Sequence, residues 1–130
     1  MKKTLFFTLI IFSFEPEPQS LLIDQFLITA HACDIQPILV FNKLDLFEKL
    51  DTNNKDDKTK IEQINNLLSI YENIGYPILK TSLHHAASIK KLEQLLADKN
   101  SLFIGASGVG KSTLTQQLVP NIKIKTGEIN

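Results

Sequence analysis

Gly105-Ala106-Ser107-Gly108-Val109-Gly110-Lys111-Ser112 carries the densest chemistry in this chain. It fits G-x-x-x-x-G-K-[ST], a pattern that wraps backbone N–H groups around a polyphosphate. Side chains at the glycine positions would block the approach, and some of those positions need positive φ. The reading assigns Lys111 to the β- and γ-phosphates, as the group acting on the reacting phosphate. The Ser112 hydroxyl takes one position of a Mg²⁺ ion, which prefers oxygen ligands, and Thr113 follows in the first turn of a helix. The flanks agree with a site of this kind. Ser101-Leu102-Phe103-Ile104 reads as a short buried strand, and Ser112 to Val119 as a helix with Leu114 and Leu118 on one face. A helix starting at the loop adds free N–H groups and the positive end of its dipole. The bland alternative is a Gly-rich strand-to-helix turn that binds nothing.

A second set is Asn42-Lys43-Leu44-Asp45, after the apolar run Ile38-Leu39-Val40-Phe41. Guanine presents an N1–H and an exocyclic N2–H₂ side by side, and a carboxylate at Asp45 can accept both. Adenine has no such pair of donors. Asn42 can bond the base and brace the phosphate loop, and the Lys43 stem can lie along the base plane. Alone this four-residue match would be a surface loop after a core strand; beside the first motif it reads as guanine recognition. An ATP-using protein with an accidental Asn-Lys-x-Asp match is the competing reading.

The elements that position these residues alternate. Leu5 to Phe14 reads as strand one, apolar on both faces as a buried parallel strand should be. Met1-Lys2-Lys3 and the run behind it also resemble a secretory signal, but no small-x-small cleavage pattern follows and the run is too short to span a membrane. Glu15-Pro16-Glu17-Pro18 closes the strand. Ser20 is expected to cap a helix running to about His31 or Cys33, with Leu22, Phe26 and Ala30 inward. Strand two ends at Asn42. Leu46 to Thr59 holds a polar segment, Asp51 to Lys58, that reads as a solvated loop, then a helix from about Lys60 to Asn73 carries Ile61, Ile64, Leu67, Leu68 and Tyr71 on one side, closed by Gly75. Pro77 to Thr81 is strand three, and Ser82 to Ala87 a loop. Ser88 is expected to cap a helix with Ile89, Leu92, Leu95 and Leu96 inward. Pro120 to Asn130 shows no clear pattern.

Four strands alternating with helices predict an α/β fold with a parallel sheet covered on both faces. Ligands of such sheets sit beyond the carboxyl ends of the strands. Asn42–Asp45, Thr81–Leu83 and the Gly-rich loop all fall at that edge. The 130 residues make one small domain or part of one, with 14 Lys+Arg against 14 Asp+Glu, so no global basic field points to nucleic acid. The lone Cys33 excludes an internal disulfide and is expected to be a small buried residue near a helix end. His31, His84 and His85 show no metal-ligand spacing and read as surface or loop residues.

The motif order is the reverse of most GTPases, with Asn42–Asp45 ahead of Gly105–Ser112. The chain resembles circularly permuted GTPases, and more narrowly the ribosome-dependent RsgA (YjeQ) family. The residues that carry this are Phe14-Glu15-Pro16-Glu17-Pro18, Phe41 to Leu46, Gly75-Tyr76-Pro77, Gly105 to Leu114 and Thr126-Gly127-Glu128-Ile129. The resemblance implies a P-loop NTPase-type three-layer sandwich, incomplete, with four strands in the order 4-1-2-3 and strand four at an apolar edge that invites association. It implies a cytoplasmic protein without membrane contact, a monomer when full length. GTP or GDP with Mg²⁺ would be its cofactors, and the 30S ribosomal subunit with its rRNA its partner in late assembly. Family members add an OB-like domain and a zinc-binding domain, for which 1–130 holds no counterpart and no zinc ligands. The switch I threonine and the Asp-x-x-Gly segment are not within it either. Residues 1–130 are thus expected to be part of a permuted GTPase domain, a fragment or decayed copy. A guanine-nucleotide-binding remnant without turnover is the alternative function. The family's third base-contacting loop is Ser-Ala-Lys; here Ser82-Leu83-His84 stands in its place, with the Leu83 N–H still able to approach guanine O6.

Overall fold

The computed structural model describes residues 6–118 and, for the backbone, 123–129. Five strands form one parallel sheet: β1 (Phe6–Phe12), β2 (Gln36–Phe41), β3 (Ile78–Lys80), β4 (Asn100–Ala106) and β5 (Lys123–Ile129). Their order is β3-β2-β1-β4-β5. The expected 4-1-2-3 arrangement is present, and β1 lies at its centre, so its apolar run is a core strand. Ile10 sits opposite Leu39 on one side and Ile104 on the other.

The sheet corrects one expectation. The tail read as patternless contains β5, paired in parallel with β4 from Asn100↔Lys123 to Ala106↔Ile129. β4 is therefore not an edge, and the association argued from its exposure loses its basis. Alternation along β1 and β2 splits the core into two layers. Leu9, Ile11, Ile38, Val40 and Phe103 face α4 (Ala86–Leu96) and α5 (Lys111–Leu118). Ile10, Phe12, Leu39 and Phe41 face α1 (Ser20–Ala32) and α3 (Lys55–Ile74). Helices thus cover both faces, as a parallel sheet requires.

Several local readings shift. Gln19, not Ser20, is the N-cap of α1, and no side chain bonds that end. The inward stripe of α1 is Ile23, Leu27 and Ala30, with Leu22 and Phe26 only half-buried. Cys33 is exposed rather than buried. Leu95 is 36% exposed, so the inward face of α4 is Ile89, Leu92 and Leu96. A short helix, α2 (Leu44–Glu48), precedes the segment Asp51 to Lys58 read as a solvated loop, and the end of that segment is the first turn of α3. Asn54 caps α3, its Oδ1 accepting from the Asp57 N–H at 3.0 Å, and Asp56 and Asp57 favour the helix dipole. Asn54→Ala should therefore cost roughly 1 kcal/mol, read as a lower urea midpoint with unchanged slope; an unchanged midpoint would show that α3 does not need this cap.

Two ties hold the outer layer. The Tyr71 hydroxyl donates to Asp24 Oδ1 at 2.7 Å, joining α3 to α1. Burial, and then the Asp24 carboxylate, push that hydroxyl well above the usual tyrosine range, so it stays protonated. Lys60 pairs with Glu15 and fastens the loop after β1 to α3. Among the described residues no helix is long and apolar enough to cross a membrane.

Candidate functional site

Three loops meet beyond the carboxyl ends of β2, β3 and β4. The first turns at Lys43, which adopts a left-handed conformation (φ 60°, ψ 36°) and is the N-cap of α2. A non-glycine residue there is strained by about 1–3 kcal/mol and persists only where its surroundings hold it. Here the Lys43 carbonyl accepts from the N–H groups of Leu46 and Phe47, at 3.1 Å each, and Leu44 N–H reaches Thr81 O at 3.0 Å. The turn sends the Lys43 side chain back across the Gly-rich loop, where Nζ donates to Gly108 O at 2.5 Å.

Asn42 is the hub. It is 2% exposed. Its Nδ2 donates to Val109 O at 3.0 Å, and its Oδ1 accepts from Thr81 Oγ1 at 2.9 Å. One side chain thus joins the Asn-Lys-x-Asp turn, the end of β3 and the Gly-rich loop. Thr81 belongs to the Thr81–Leu83 segment expected at this edge; its part as the partner of Asn42 Oδ1 is what the structure adds.

The Gly-rich loop runs from β4 into α5. Gly108 and Gly110 have φ of +89° and +90°. A Cβ on Gly110 would lie 2.4 Å from Asn42 Nδ2. A Cβ on Gly105 would lie 2.9 Å from Ile11 O, so the start of the loop needs a bare backbone against β1. Ala106 is half-buried, Val109 is buried, and Ser107, Ser112 and Thr113 are exposed. Lys111 is only 7% exposed, an uncommon place for an ammonium group. Gly110 O accepts from Leu114 N–H at 3.0 Å, setting the first turn of α5.

The third loop presents Ser82, Leu83 and His84. The buried Ser82 hydroxyl donates to Asp45 Oδ1 at 2.8 Å and accepts from His84 N–H at 3.1 Å. Ser88 is not the cap of α4, a position held by His85. Its hydroxyl donates to His85 O at 2.7 Å and accepts from Ser82 N–H at 3.2 Å, which fixes the loop. The Ser82 hydrogen bond holds the Asp45 carboxyl below the usual carboxylate range, against the opposing effect of burial. His84 Nε2 stands 4.0 Å from Asp45 Oδ2. Together Asn42, Lys43, Asp45, Leu46, Leu83, His84, Gly110 and Thr113 line a cleft of about 200 Å³. Leu44 is half-buried beside it, packed toward the α1–α3 layer. A separate groove of about 180 Å³, between Gly105-Ala106 and Leu22 and Phe26 of α1, is mostly apolar and converges few donors.

A parallel α/β sheet, a Gly-rich loop leading into a helix, and an Asn-Lys-x-Asp turn clasping that loop from earlier in the chain define a circularly permuted P-loop domain. The family model for the RsgA GTPase matches residues 7–130. The chain belongs to the RsgA GTPase family. It is 37% identical over 121 residues to the small ribosomal subunit biogenesis GTPase RsgA of Pseudomonas fluorescens strain Pf-5, covering 93% of this chain and 33% of the relative. It is 36% identical over 116 residues to the protein of that name from Alkaliphilus metalliredigens, covering 89% and 36%. Among solved structures it is similar to YjeQ from Thermotoga maritima, with a TM-score of 0.72, 31% identity, and coverage of 94% of this chain and 41% of that one. It is also similar to YloQ, described as a circularly permuted GTPase, with a TM-score of 0.68, 33% identity and coverage of 90% and 38%. The chain spans about a third of the length of the curated relatives it matches.

Proposed function

We propose that this chain binds a guanine nucleotide at the carboxyl edge of its sheet and forms the base- and phosphate-reading part of a GTPase. The observation that carries the reading is the clasp. Asn42 and Lys43 bond the carbonyls of Val109 and Gly108 while Asp45 faces the same cleft as Gly110 and Thr113. A ligand joining a base to phosphates would meet both motifs at once.

In this reading the backbone from Gly105 through Thr113 cradles the phosphates, with Ala106, Ser107 and Val109 supplying N–H groups. The glycine positions fit such a group, since any Cβ on Gly105 or Gly110 would intrude on the loop's own packing. Lys111 holds the transferred phosphoryl charge, and Ser112 offers the hydroxyl for Mg²⁺. The ion would supply charge neutralisation on the phosphate oxygens. Asp45 accepts the donor edge of guanine, Asn42 and Leu44 keep the turn in register, and the Lys43 stem covers a base face. Ser82 orients Asp45, and the Leu83 N–H meets the base. Zinc is given no role at this site. By kinship with proteins named for small ribosomal subunit biogenesis, the physiological partner is the 30S subunit with its rRNA and the setting the cytoplasm.

The test is a titration with fluorescent GDP and, in parallel, fluorescent ADP, with Mg²⁺ present. A site built around the guanine donors should prefer GDP by roughly 10²-fold or more. Equal affinities would favour an ATP-using protein, and no binding by a folded chain would sink the nucleotide reading. Lys111→Ala should weaken GDP by roughly 10–100-fold, the worth of one charge-assisted phosphate contact. Phosphate release from GTP that survives purification and vanishes in Lys111→Ala would establish turnover. Binding without release would leave a nucleotide module.

A further inference from the structure

The third loop holds a side chain that none of the roles above uses. His84 projects at the mouth of the base cleft, its imidazole 83% exposed, with Nε2 aimed within 4.0 Å of Asp45 Oδ2. We propose that His84 is an acid-sensitive gate on guanine recognition, competing with the base for Asp45 when its imidazole is protonated. This rests on the guanine reading of the cleft.

Donors compete for a limited set of acceptor sites on Asp45. A carboxylate offers about four acceptor sites. Asp45 already accepts from the Ser82 hydroxyl, and the Leu46 N–H also contributes. Guanine would bring the N1–H and N2–H₂ donors, which nearly fills the set. A neutral imidazole adds no charge and can turn its unprotonated nitrogen away from the base. An imidazolium is a donor at both nitrogens and positively charged. It completes an ion pair with Oδ2 by a movement of about 1 Å, reaching the ordinary charge-assisted distance. It also sets a cation beside the electropositive donor edge of the base. Both effects weaken guanine as acidification protonates the imidazole.

The surrounding charges do not offset this. Lys43, the other charged residue lining the cleft, places its ammonium on Gly108 O. His85 is the N-cap of α4, where its N–H meets Ser82 O at 3.1 Å. Asp45 itself is held below the usual carboxylate range, chiefly by Ser82, so it stays ionised through the window in question. The loop is rigid enough for the geometry to matter, because Ser82 accepts the His84 N–H and Ser88 fixes Ser82. His84 is exposed, so the effect is that of a surface pair, modest rather than absolute.

The experiment measures the Kd for fluorescent GDP with Mg²⁺ from pH 8 to pH 5.5 for the full chain, His84→Gln and His85→Gln. Phosphate protonation weakens GDP in all three and is subtracted by comparing them. The wild type and His85→Gln are expected to lose roughly 2–5-fold more affinity on acidification than His84→Gln, the scale of one exposed ion pair. The quantity compared is each protein's loss relative to its own affinity at pH 8. Parallel profiles for the wild type and His84→Gln would overturn the gate while leaving guanine binding intact, as would a steeper profile for His84→Gln. Loss of the slope in His85→Gln alone would move the titration to the wrong residue. Absence of GDP binding at every pH would remove the guanine reading and the gate with it.

Discussion

Gly110→Ala is expected to abolish GDP binding at concentrations that saturate the wild type and to destabilise the fold by roughly 2–5 kcal/mol. Two separate costs add. Gly110 has φ of +90°, where an L side chain costs about 1–2 kcal/mol. The new Cβ would also lie 2.4 Å from Asn42 Nδ2 and 3.5 Å from Lys43 Cε. Asn42 cannot swing clear without losing Val109 O on one side or Thr81 Oγ1 on the other. Its amide is buried, so a lost partner costs about 1–3 kcal/mol more. The clasp would open at the point where the base and phosphate loops meet, so binding and stability should fall together. Urea unfolding and a GDP titration on the same preparation check this. Gly75→Ala supplies the comparison. It has a positive φ of 107° but nothing within 4 Å of its Cβ, so it should cost only the conformational part and leave affinity unchanged. Equal loss of affinity in both variants would mean that the collision with Asn42 is not what matters.

Gly105–Ser112 and Asn42–Asp45, which the fold joins through Asn42 and Lys43, were legible as fixed patterns of residue type and spacing. The central strands were equally legible, because burial on both faces leaves only apolar runs such as Ile38–Phe41. The misplaced features lack such constraints. β5 (Lys-Ile-Lys-Thr-Gly-Glu-Ile) has a strand's length, but its lysines, glycine and glutamate are residues of low strand preference and mask the pattern. The start of α3 was mistaken for loop because Lys55-Asp56-Asp57 is polar, although Asn54 followed by acids is a start signal. The α1 stripe slipped by one residue because Leu22/Phe26 and Ile23/Leu27 both satisfy helical spacing; only the position of the sheet chooses between them. The partner of Thr81 is Asn42, on another strand end, and Ser88 ties down the loop before α4 instead of capping the helix, roles that residue type alone does not reveal.

Asp45→Asn is the second large expectation, and it separates base recognition from folding. Guanine binding in this cleft requires an acceptor for both N1–H and N2–H₂. Asp45 is suited to that role because the Ser82 hydroxyl fixes its Oδ1 at 2.8 Å and holds the carboxyl below the usual carboxylate range. With the pKa depressed, the acceptor is present above the usual carboxylate range and is lost only as pH falls through the lowered value. Asparagine keeps one oxygen, which can still take the Ser82 proton. Its NH₂ would then face guanine's own donors, leaving them unpaired in a confined cleft. Losing two charge-assisted hydrogen bonds, at about 1.5–3 kcal/mol each, corresponds to roughly 10²–10⁴-fold weaker GDP. Stability should barely change, because the Asp45 side chain is 24% exposed and its bond to Ser82 has a neutral substitute. The informative pair of readings is therefore GDP affinity and urea midpoint. Affinity lost at an unchanged midpoint assigns the base to Asp45. Affinity within about threefold of the wild type would place the base elsewhere, and would remove the ground for both the guanine preference and the His84 gate.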